Sequence, residues 1–381
     1  MLLILADDLG HECLGSYGGT SYRTPRLDEL ARGGMRFERC FAMPMCHPSR
    51  LTLLTGRYPF RTHARWGTFP DGELTFGNVL QRAGYATALS GKWQMTLQRK
   101  HPDHIARSGF ATSAAWDDEG SIYWNPAIRI DGVTREDLRD RYGPDVHTEF
   151  LIDFLERERT GPFLAYFPLT LPHREVVHPV PGARLSSYPE MVEEMDRQIG
   201  RVLDALERLE LRESTIVLFT ADNGTPTSVI SRLGAREIRG GKSEITDAGT
   251  HVPLLASWPG VVPPGSVCGD LIDLSDFMPT LAELARAEPP AGVTLDGRSF
   301  APQLRGQPGR PRDWVYGGFN GRAFLRDKRW KLTGTGDLFD LERDPDERAP
   351  IEELHDTPES AAARARLDAY VRGYFPAQSL A

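Results

Sequence analysis

The sequence predicts an α/β fold in which a mixed, largely parallel sheet lies between helices, followed by a small C-terminal antiparallel-sheet subdomain. Two patterns predict the core. Short continuous apolar runs are typical of strands buried on both faces, and amphipathic stretches of helical period separate them. Strands that alternate with helices favour a layered core. A change of composition near residue 306 predicts the subdomain.

Five apolar runs indicate strands, and each ends in polar residues or in a turn. The runs are Leu2–Ala6, Thr87–Ser90, Phe163–Phe167, Thr215–Thr220 and Val252–Trp258. Runs of four to eight residues suit buried strands better than helices, which are usually longer.

Four amphipathic or capped stretches between these runs predict helices. They extend from Thr24-Pro25 to Gly33-Gly34, over Asp145–Arg159, from Met191 to Leu209, and from Ser275-Asp276 to about Ala287. The first has an N-capping threonine, a proline in its first turn and a glycine at its end, which together mark a helix from start to stop.

The amino-acid composition and the length of the apolar runs change beyond Gly306. A segment rich in Pro, Gly and Arg is followed by four short strand-like pieces and by a closing helix near Ser360–Arg372. The pieces are Val315–Phe319, Ala323–Arg326, Trp330–Thr333 and Asp337–Asp340. We therefore predict a catalytic α/β domain over residues 1–305 and a C-terminal subdomain over residues 306–381.

Composition excludes several classes of protein. The 381 residues include 45 Lys+Arg and 53 Asp+Glu, which gives a net charge of −8 and no long basic run, so nucleic acid is not an expected partner. No apolar run reaches the roughly 18 residues of a membrane-spanning helix. The N-terminus has no signal peptide, so the compartment is left open, with the periplasm or the extracellular space expected if a leader has been removed.

Polar residues follow several of the predicted strands, where ligands of open α/β sheets bind. They are Asp7-Asp8, Lys92, His173 and Asp222-Asn223. Each acidic pair alone is typical of a helix cap or a turn. Two such pairs at corresponding strand ends instead predict an oxygen-rich cage of the kind that Ca²⁺ or Mg²⁺ prefers, because like charges cannot converge without a cation.

A twelve-residue segment carries the strongest signal. Cys46-His47-Pro48-Ser49-Arg50 is followed by Leu51-Thr52-Leu53-Leu54-Thr55-Gly56-Arg57. It resembles the signature of the type I sulfatases, in the alkaline-phosphatase-like superfamily. Further elements stand in the order of that family, among them Ala6-Asp7-Asp8, Gly91-Lys92-Trp93, Leu171-Pro172-His173, Thr220-Ala221-Asp222-Asn223-Gly224 and Arg239-Gly240-Gly241-Lys242. The resemblance covers essentially the whole chain and implies an alkaline-phosphatase-like core.

The resemblance also implies roles for these residues. Cys46 would be converted to formylglycine by a separate formylglycine-generating enzyme, a transient partner, and the hydrate of this aldehyde would attack the sulfate ester. The implied metal ligands are Asp7, Asp8, Asp222, Asn223 and the modified Cys46, with Ca²⁺ as the expected ion and Mg²⁺ as the alternative. Arg50 would steady the formylglycine, while Lys92, His173 and Lys242 would hold the sulfate and assist the leaving oxygen. A helix that begins near Pro48 would direct Cys46 and Arg50 toward one site.

Gln94 departs from the family pattern, which commonly has a histidine after Gly91-Lys92-Trp93. Glutamine can bind substrate by hydrogen bonds but cannot accept a proton near neutral pH. Either another base serves, with His11, His101 and His104 as candidates, or metal and solvent suffice, or turnover is impaired. A second departure is Asp247-Ala248-Gly249-Thr250-His251, where Glu-Gly-Gly-x-Arg is usual, and we expect it to affect packing or substrate fit.

These observations favour a sulfatase that acts on a sulfated carbohydrate or an aryl sulfate. Two alternatives stay open: a phosphate- or phosphonate-ester hydrolase of the same superfamily, and a non-catalytic binder of sulfated glycans. Loops over Arg61–Phe69, Trp116–Trp124 and Arg174–Tyr188 offer side chains that could hold a sugar.

Overall fold

The computed structural model describes residues 1–62, 67–70, 72–173 and 187–374. The strands, in chain order, are β1 (Leu2–Ala6), β2 (Met35–Phe41), β3 (Ala86–Gly91), β4 (Thr112–Trp116), β5 (Ile128–Ile130), β6 (Val133–Thr134), β7 (Phe163–Pro168), β8 (Val217–Ala221), β9 (Ile230–Leu233), β10 (Arg236–Arg239), β11 (His251–Ser257), β12 (Ser266–Asp273), β13 (Val315–Phe319), β14 (Arg322–Arg326), β15 (Trp330–Thr333) and β16 (Leu338–Asp340).

Helices connect most of these strands. They are α1 (Pro25–Arg32), α2 (Cys46–Thr55), α3 (Pro59–Thr62), α4 (Phe76–Arg82), α5 (His104–Arg107), α6 (Gly143–Arg157), α7 (Tyr188–Arg208), α8 (Asp247–Thr250), α9 (Phe277–Ala285), α10 (Ala301–Leu304) and α11 (Pro358–Tyr374). The four predicted helices correspond to α1, α6, α7 and α9.

A ten-stranded sheet in the order β12-β2-β11-β8-β1-β7-β3-β4-β5-β6 forms the core. Its five central strands, from β8 to β4, run parallel. The predicted strand near Val252 is β11, and it runs antiparallel to both of its neighbours, β8 and β2. The predicted mixed, largely parallel sheet is therefore confirmed.

Helix α2 begins at Cys46 itself, two residues before the expected start at Pro48. The amide of Ser49 donates to the carbonyl oxygen of Met45 across the first turn. Gly56 ends the helix with a φ of 70°, a left-handed conformation that suits glycine. Nearly all of the helix is buried, so it lies inside the molecule rather than on its surface.

The C-terminal residues form the predicted antiparallel sheet, in the order β13-β14-β15-β16. Its apolar face packs with Leu367 of α11, but the same buried cluster includes Met43 and Tyr58 from the first part of the chain. Arg312 adds a buried ionic link, with contacts of 2.8 Å to Asp273 and 3.0 Å to Asp276. The division at residue 305 stays a prediction, and the two parts share a core.

In the part of the chain that the structure describes, no helix is both long enough and apolar enough to cross a bilayer.

His147, buried on α6, provides a pH-dependent test of the core. Burial lowers the pKa of its imidazole from 6.5 to about 4. The unfolded chain therefore binds this proton at a higher pH than the folded chain does, and the free energy of unfolding falls as the pH drops from 6.5 toward 4. Between about pH 7.5 and pH 5, the free energy of unfolding of the parent protein should fall by about 2 kcal/mol more than that of His147→Gln, as measured by urea unfolding.

The matched control is His355→Gln, since His355 is exposed. Its pH dependence should equal that of the parent protein. Parallel pH profiles for the His147 variant and the parent would contradict the prediction.

Candidate functional site

The acidic pairs Asp7-Asp8 and Asp222-Asn223 follow neighbouring parallel strands, β1 and β8. Backbone bonds hold the two strand ends together: the amide of Asp222 donates to the Ala6 carbonyl oxygen at 3.1 Å, and the amide of Asp8 donates to Asp222 Oδ1 at 3.1 Å. All four side chains are buried. The fold therefore brings the two pairs together, as the sequence predicted.

Asp7 is balanced by cations from two other elements. Lys92 Nζ, just beyond β3, lies 2.7 Å from Asp7 Oδ2, and Arg50 Nη2 lies 3.6 Å from the same oxygen. Burial raises the pKa of Asp7, but the charges of Lys92 and the other basic groups outweigh it and hold the pKa below its usual range.

Asp8 has a φ of 69°, which turns the chain sharply after β1. Lys242 Nζ donates to its Oδ2 at 2.6 Å, and Asn223 Nδ2 donates to its Oδ1 at 2.8 Å. Burial and the nearby charge of Asp7 raise the pKa of Asp8, although Lys242 opposes the shift. Lys242 thus reaches the site from the loop after β10.

Arg50, one turn into α2, fixes Asp222. Its Nε and Nη2 lie 2.9 Å and 2.8 Å from Asp222 Oδ2, and its Nη1 donates to the Lys92 carbonyl oxygen at 2.7 Å. Burial and the charge of Asp7 raise the pKa of Asp222 to about 6. Arg50 therefore ties three chain segments together at the sheet edge.

Cys46 is the first residue of α2, and only 2% of it is exposed. Burial raises the pKa of its thiol, which also responds to the charges of Lys92, Asp222, Asp7 and Lys242. Cys46 stands one helical turn before Arg50, the residue that contacts Asp7 and Asp222. An unmodified thiol at this position is a poor nucleophile, because it is held in its neutral form.

His173 lies at the margin of the cluster. Its Nε2 is 4.0 Å from Asp8 Oδ2, and burial lowers its pKa to about 4. Among the described residues, the ligand-capable atoms of Asp7, Asp8 and His173 lie within 4.8 Å of one another. His173 is thus a candidate ligand that the sequence analysis did not assign to the metal, whereas Asp222 and Cys46 fall outside that group.

The donor set fits a hard divalent cation. Asp7 Oδ1 and Asn223 Oδ1 are buried acceptor oxygens with no hydrogen-bond partner in the described part of the chain. Orphaned buried acceptors are costly unless a cation or a water satisfies them. Carboxylate and amide oxygens are the ligands that Ca²⁺ and Mg²⁺ prefer.

The three candidate bases have different surroundings. His104 is buried and hydrogen-bonded to Trp93 Nε1 at 3.1 Å. His11 stacks on His251, with ring centroids 3.8 Å apart. His101 and Gln94 line one cavity beside the site, and Gln94 has a φ of 58° and a buried Oε1 without a partner among the described residues.

The C-terminal sheet supports the loop that carries Lys242. Lys331 on β15 is fully buried, and its Nζ donates to the Ile245 carbonyl oxygen at 2.5 Å and lies 2.7 Å from Glu347 Oε2. On the other side of the loop, the Ser243 amide donates to the Pro44 carbonyl oxygen at 2.8 Å. The loop is therefore held between the C-terminal sheet and the segment that precedes Cys46.

A family model described as Sulfatase matches residues 1–287 of the chain. The chain belongs to the sulfatase family.

Relatives of known activity agree with this assignment. Steryl-sulfatase of Mus musculus is 32% identical, over 86% of this chain and 68% of that protein. Arylsulfatase A of Homo sapiens is 33% identical, over 83% of this sulfatase and 69% of the human protein. N-acetylgalactosamine-6-sulfatase of Canis lupus familiaris is 30% identical, over 80% and 66% respectively. The protein is a sulfuric ester hydrolase by class.

Solved structures share the fold. The crystal structure of Ps i-CgsB in complex with k-i-k-neocarrahexaose superposes with a TM-score of 0.83 at 24% identity, covering 98% of this sulfatase and 91% of that chain. A structure in complex with its substrate D-glucosamine-2-N,6-O-disulfate gives a TM-score of 0.80 at 20% identity, covering 98% and 96%.

Lys331→Met tests the support of the Lys242 loop. The substitution leaves the Ile245 carbonyl oxygen and the Glu347 carboxylate without their buried cation. We expect a loss of about 3 kcal/mol in the free energy of unfolding, together with a fall of about tenfold or more in kcat/KM for 4-nitrophenyl sulfate, because Lys242 is displaced.

Lys331→Arg should recover part of both losses, since it restores the buried positive charge. Lys328→Met is the matched control, because Lys328 lies in the same subdomain but is largely exposed. Loss of stability with unchanged kinetics in the Lys331→Met enzyme would contradict a positioning role.

Proposed function

We propose that this sulfatase hydrolyses a sulfate ester of a saccharide, using formylglycine made from Cys46 and a divalent cation, Ca²⁺ or Mg²⁺, held by Asp7, Asp8, Asp222 and Asn223. The observation that carries the proposal is the position of Cys46, which is buried one helical turn before Arg50, the residue that contacts Asp7 and Asp222. Two comparisons support a saccharide: a relative is named for N-acetylgalactosamine 6-sulfate, and a structural neighbour binds a sulfated glucosamine.

Formylglycine and the cation would each add chemistry to this site. The hydrate of formylglycine would provide two hydroxyl groups on one carbon, which no ordinary side chain has, and the cation would provide Lewis-acid stabilisation of negative charge. The unpartnered oxygens of Asp7 and Asn223 are the atoms best suited to add to the cation's coordination.

The chain's own residues bind and orient the sulfate. Lys92 and Lys242 bring two ammonium groups to the cluster, where preorganised positive charge stabilises the sulfuryl oxygens. Lys242 is 17% exposed and can donate a proton toward the leaving oxygen. Arg50 holds Asp222 and the Lys92 backbone in place, while His173 adds a hydrogen-bonding ring at the margin.

Recognition by the formylglycine-generating enzyme requires access to Cys46 and Arg50. Both are nearly inaccessible in the folded protein. We therefore infer that this partner acts on a chain that has not finished folding.

Substitution of the nucleophile tests the proposal directly. Protein coexpressed with the modifying enzyme should contain an aldehyde in place of the Cys46 thiol, as shown by peptide mass spectrometry. Cys46→Ala should lower kcat on 4-nitrophenyl sulfate by about a thousandfold or more, since removal of a nucleophile abolishes the covalent route. Cys268→Ala is the control, because Cys268 is partly exposed and lies on β12, away from the cluster.

An unmodified thiol in fully active protein would overturn the formylglycine mechanism. A higher kcat/KM for 4-nitrophenyl phosphate than for 4-nitrophenyl sulfate would favour a phosphate-ester hydrolase instead. Binding of sulfated sugars without turnover by modified, Ca²⁺-loaded protein would make it a glycan binder.

Cation binding can be measured apart from activity. We expect Asn223→Ala to weaken Ca²⁺ binding by about tenfold or more, because it removes an oxygen ligand. Isothermal titration of Ca²⁺ and of Mg²⁺ into EDTA-treated protein reports the affinity and identifies the preferred ion. The exposed Asn320→Ala serves as the control, and equal affinities in the two variants would remove Asn223 from the ligand set.

A further inference from the structure

A cavity of about 470 Å³ opens beside the charged cluster, at the carboxyl ends of β3 and β4. These strands are parallel neighbours, and their register pairs Gly91 with Ala115. Lys92 and Trp116 therefore leave adjacent strands at the same edge. The lining includes Thr68, Gln94, Thr96, His101, Trp116 and Asp118.

Two short links connect the lining of the cavity with the segments that carry Cys46 and Lys92. Gln94 lies two residues beyond Lys92, whose ammonium group contacts Asp7. His47 follows Cys46 in α2 and is hydrogen-bonded to the backbone of Thr68. The alcohol portion of an ester in this cavity would thus stand beside the segments that carry Lys92 and Cys46.

Unsatisfied polar atoms are concentrated in the lining. Gln94 Oε1, Thr96 Oγ1, Trp116 Nε1 and both carboxylate oxygens of Asp118 are buried, and none has a side-chain hydrogen-bond partner among the described residues. Buried polar groups in folded proteins are normally satisfied, and each exception calls for an explanation. Here Gln94, Thr96 and Trp116 bring three such exceptions to one cavity, and Asp118 adds a buried carboxyl group that faces the Gln98 backbone amide.

The hydrogen-bond donors and acceptors of the lining indicate the chemical class of ligand that the cavity can bind. Trp116 offers only a donor, Gln94 Oε1 and the carboxyl group of Asp118 offer acceptors, and Thr96 offers both. A sugar hydroxyl is likewise both donor and acceptor, and several hydroxyls on one ring can satisfy such a set together. The indole ring adds an apolar face of the kind on which sugar rings pack.

Asp118 is the most informative member of this set. Within the described chain it forms no ion pair, and its φ of 59° places it in the left-handed region that is uncommon for a residue with a side chain. Burial raises its pKa to about 7, although the Gln98 backbone amide and the charge of Lys92 oppose the shift. Arg50, Asp117, Lys100 and His101 are the other charged or titratable groups near it.

We propose that this cavity binds the sugar ring of a sulfated saccharide, with Asp118, Trp116 and Gln94 hydrogen-bonded to its hydroxyl groups. The proposal rests on the proposed function and selects among its substrates. The apolar ring system of a steroid would leave the Trp116 indole N–H without a partner and the Asp118 carboxyl group with no new one. A site with unpaired polar groups disfavours a ligand that cannot form hydrogen bonds with them.

The test compares three substrates of the modified, metal-loaded enzyme: N-acetylgalactosamine 6-sulfate, 4-nitrophenyl sulfate and estrone sulfate. We expect kcat/KM for the saccharide to exceed that for estrone sulfate. Asp118→Asn and Trp116→Phe should each lower the ratio of saccharide to 4-nitrophenyl sulfate kcat/KM at least about tenfold. Glu119→Gln, an exposed neighbour, should leave the ratio unchanged.

A binding measurement makes the test independent of turnover. Isothermal titration of N-acetylgalactosamine 6-sulfate into Cys46→Ala protein should show a dissociation constant that Asp118→Asn raises at least about tenfold. Equal losses on the saccharide and on 4-nitrophenyl sulfate, a preference for estrone sulfate, or unaltered binding would each overturn the proposal. Failure of the proposed sulfatase function would give a different result from failure of the sugar-site proposal, because none of the three sulfate esters would then be cleaved.

Discussion

Three buried carboxylates at one edge of the sheet create the constraint on which the site depends. Asp7, Asp8 and Asp222 would repel one another strongly away from water, and the fold balances them with cations drawn from distant segments. Lys92 contacts Asp7, and Lys242 contacts Asp8. Arg50 joins Asp222 to the backbone carbonyl oxygen of Lys92. The helix, strands and loops around the site are therefore held at positions that keep opposite charges in contact.

The central part of the fold was predictable because its signals are local. Continuous apolar runs identify strands such as β1 and β8, which are buried on both faces. Strand β2 escaped prediction because its exposure alternates between buried and half-buried residues, and β12 is half-exposed along its first five residues. The antiparallel direction of β11 depends on pairing with β8 and β2, and no pattern within the strand itself encodes that pairing.

The residues of the candidate site also include some that the sequence predicted and some that it did not. Cys46, Arg50 and the residues at the strand ends were predictable, because a resemblance of spacing and order accompanies them. The contact of Lys331 with the Lys242 loop was not predictable, because its partner Ile245 is 86 residues away in the chain. Nothing in the sequence of β15 distinguishes this lysine from one on a strand surface. The sequence analysis named the loop Trp116–Trp124 as one that could hold a sugar but gave Asp118 no role within it. An acidic residue in a loop is normally solvated, and only the assembled cavity reveals that its oxygens are buried.

The support that the C-terminal sheet gives to the Lys242 loop has a consequence for the order of events during synthesis. The strands that carry Arg322 and Lys331 follow Cys46 by more than 270 residues, so the Lys242 loop lacks their support while the residues between are being made. Cys46 leaves the ribosome far earlier and is covered only when its partners arrive. The number of residues between Cys46 and the C-terminal sheet therefore sets how long this cysteine stays accessible during synthesis.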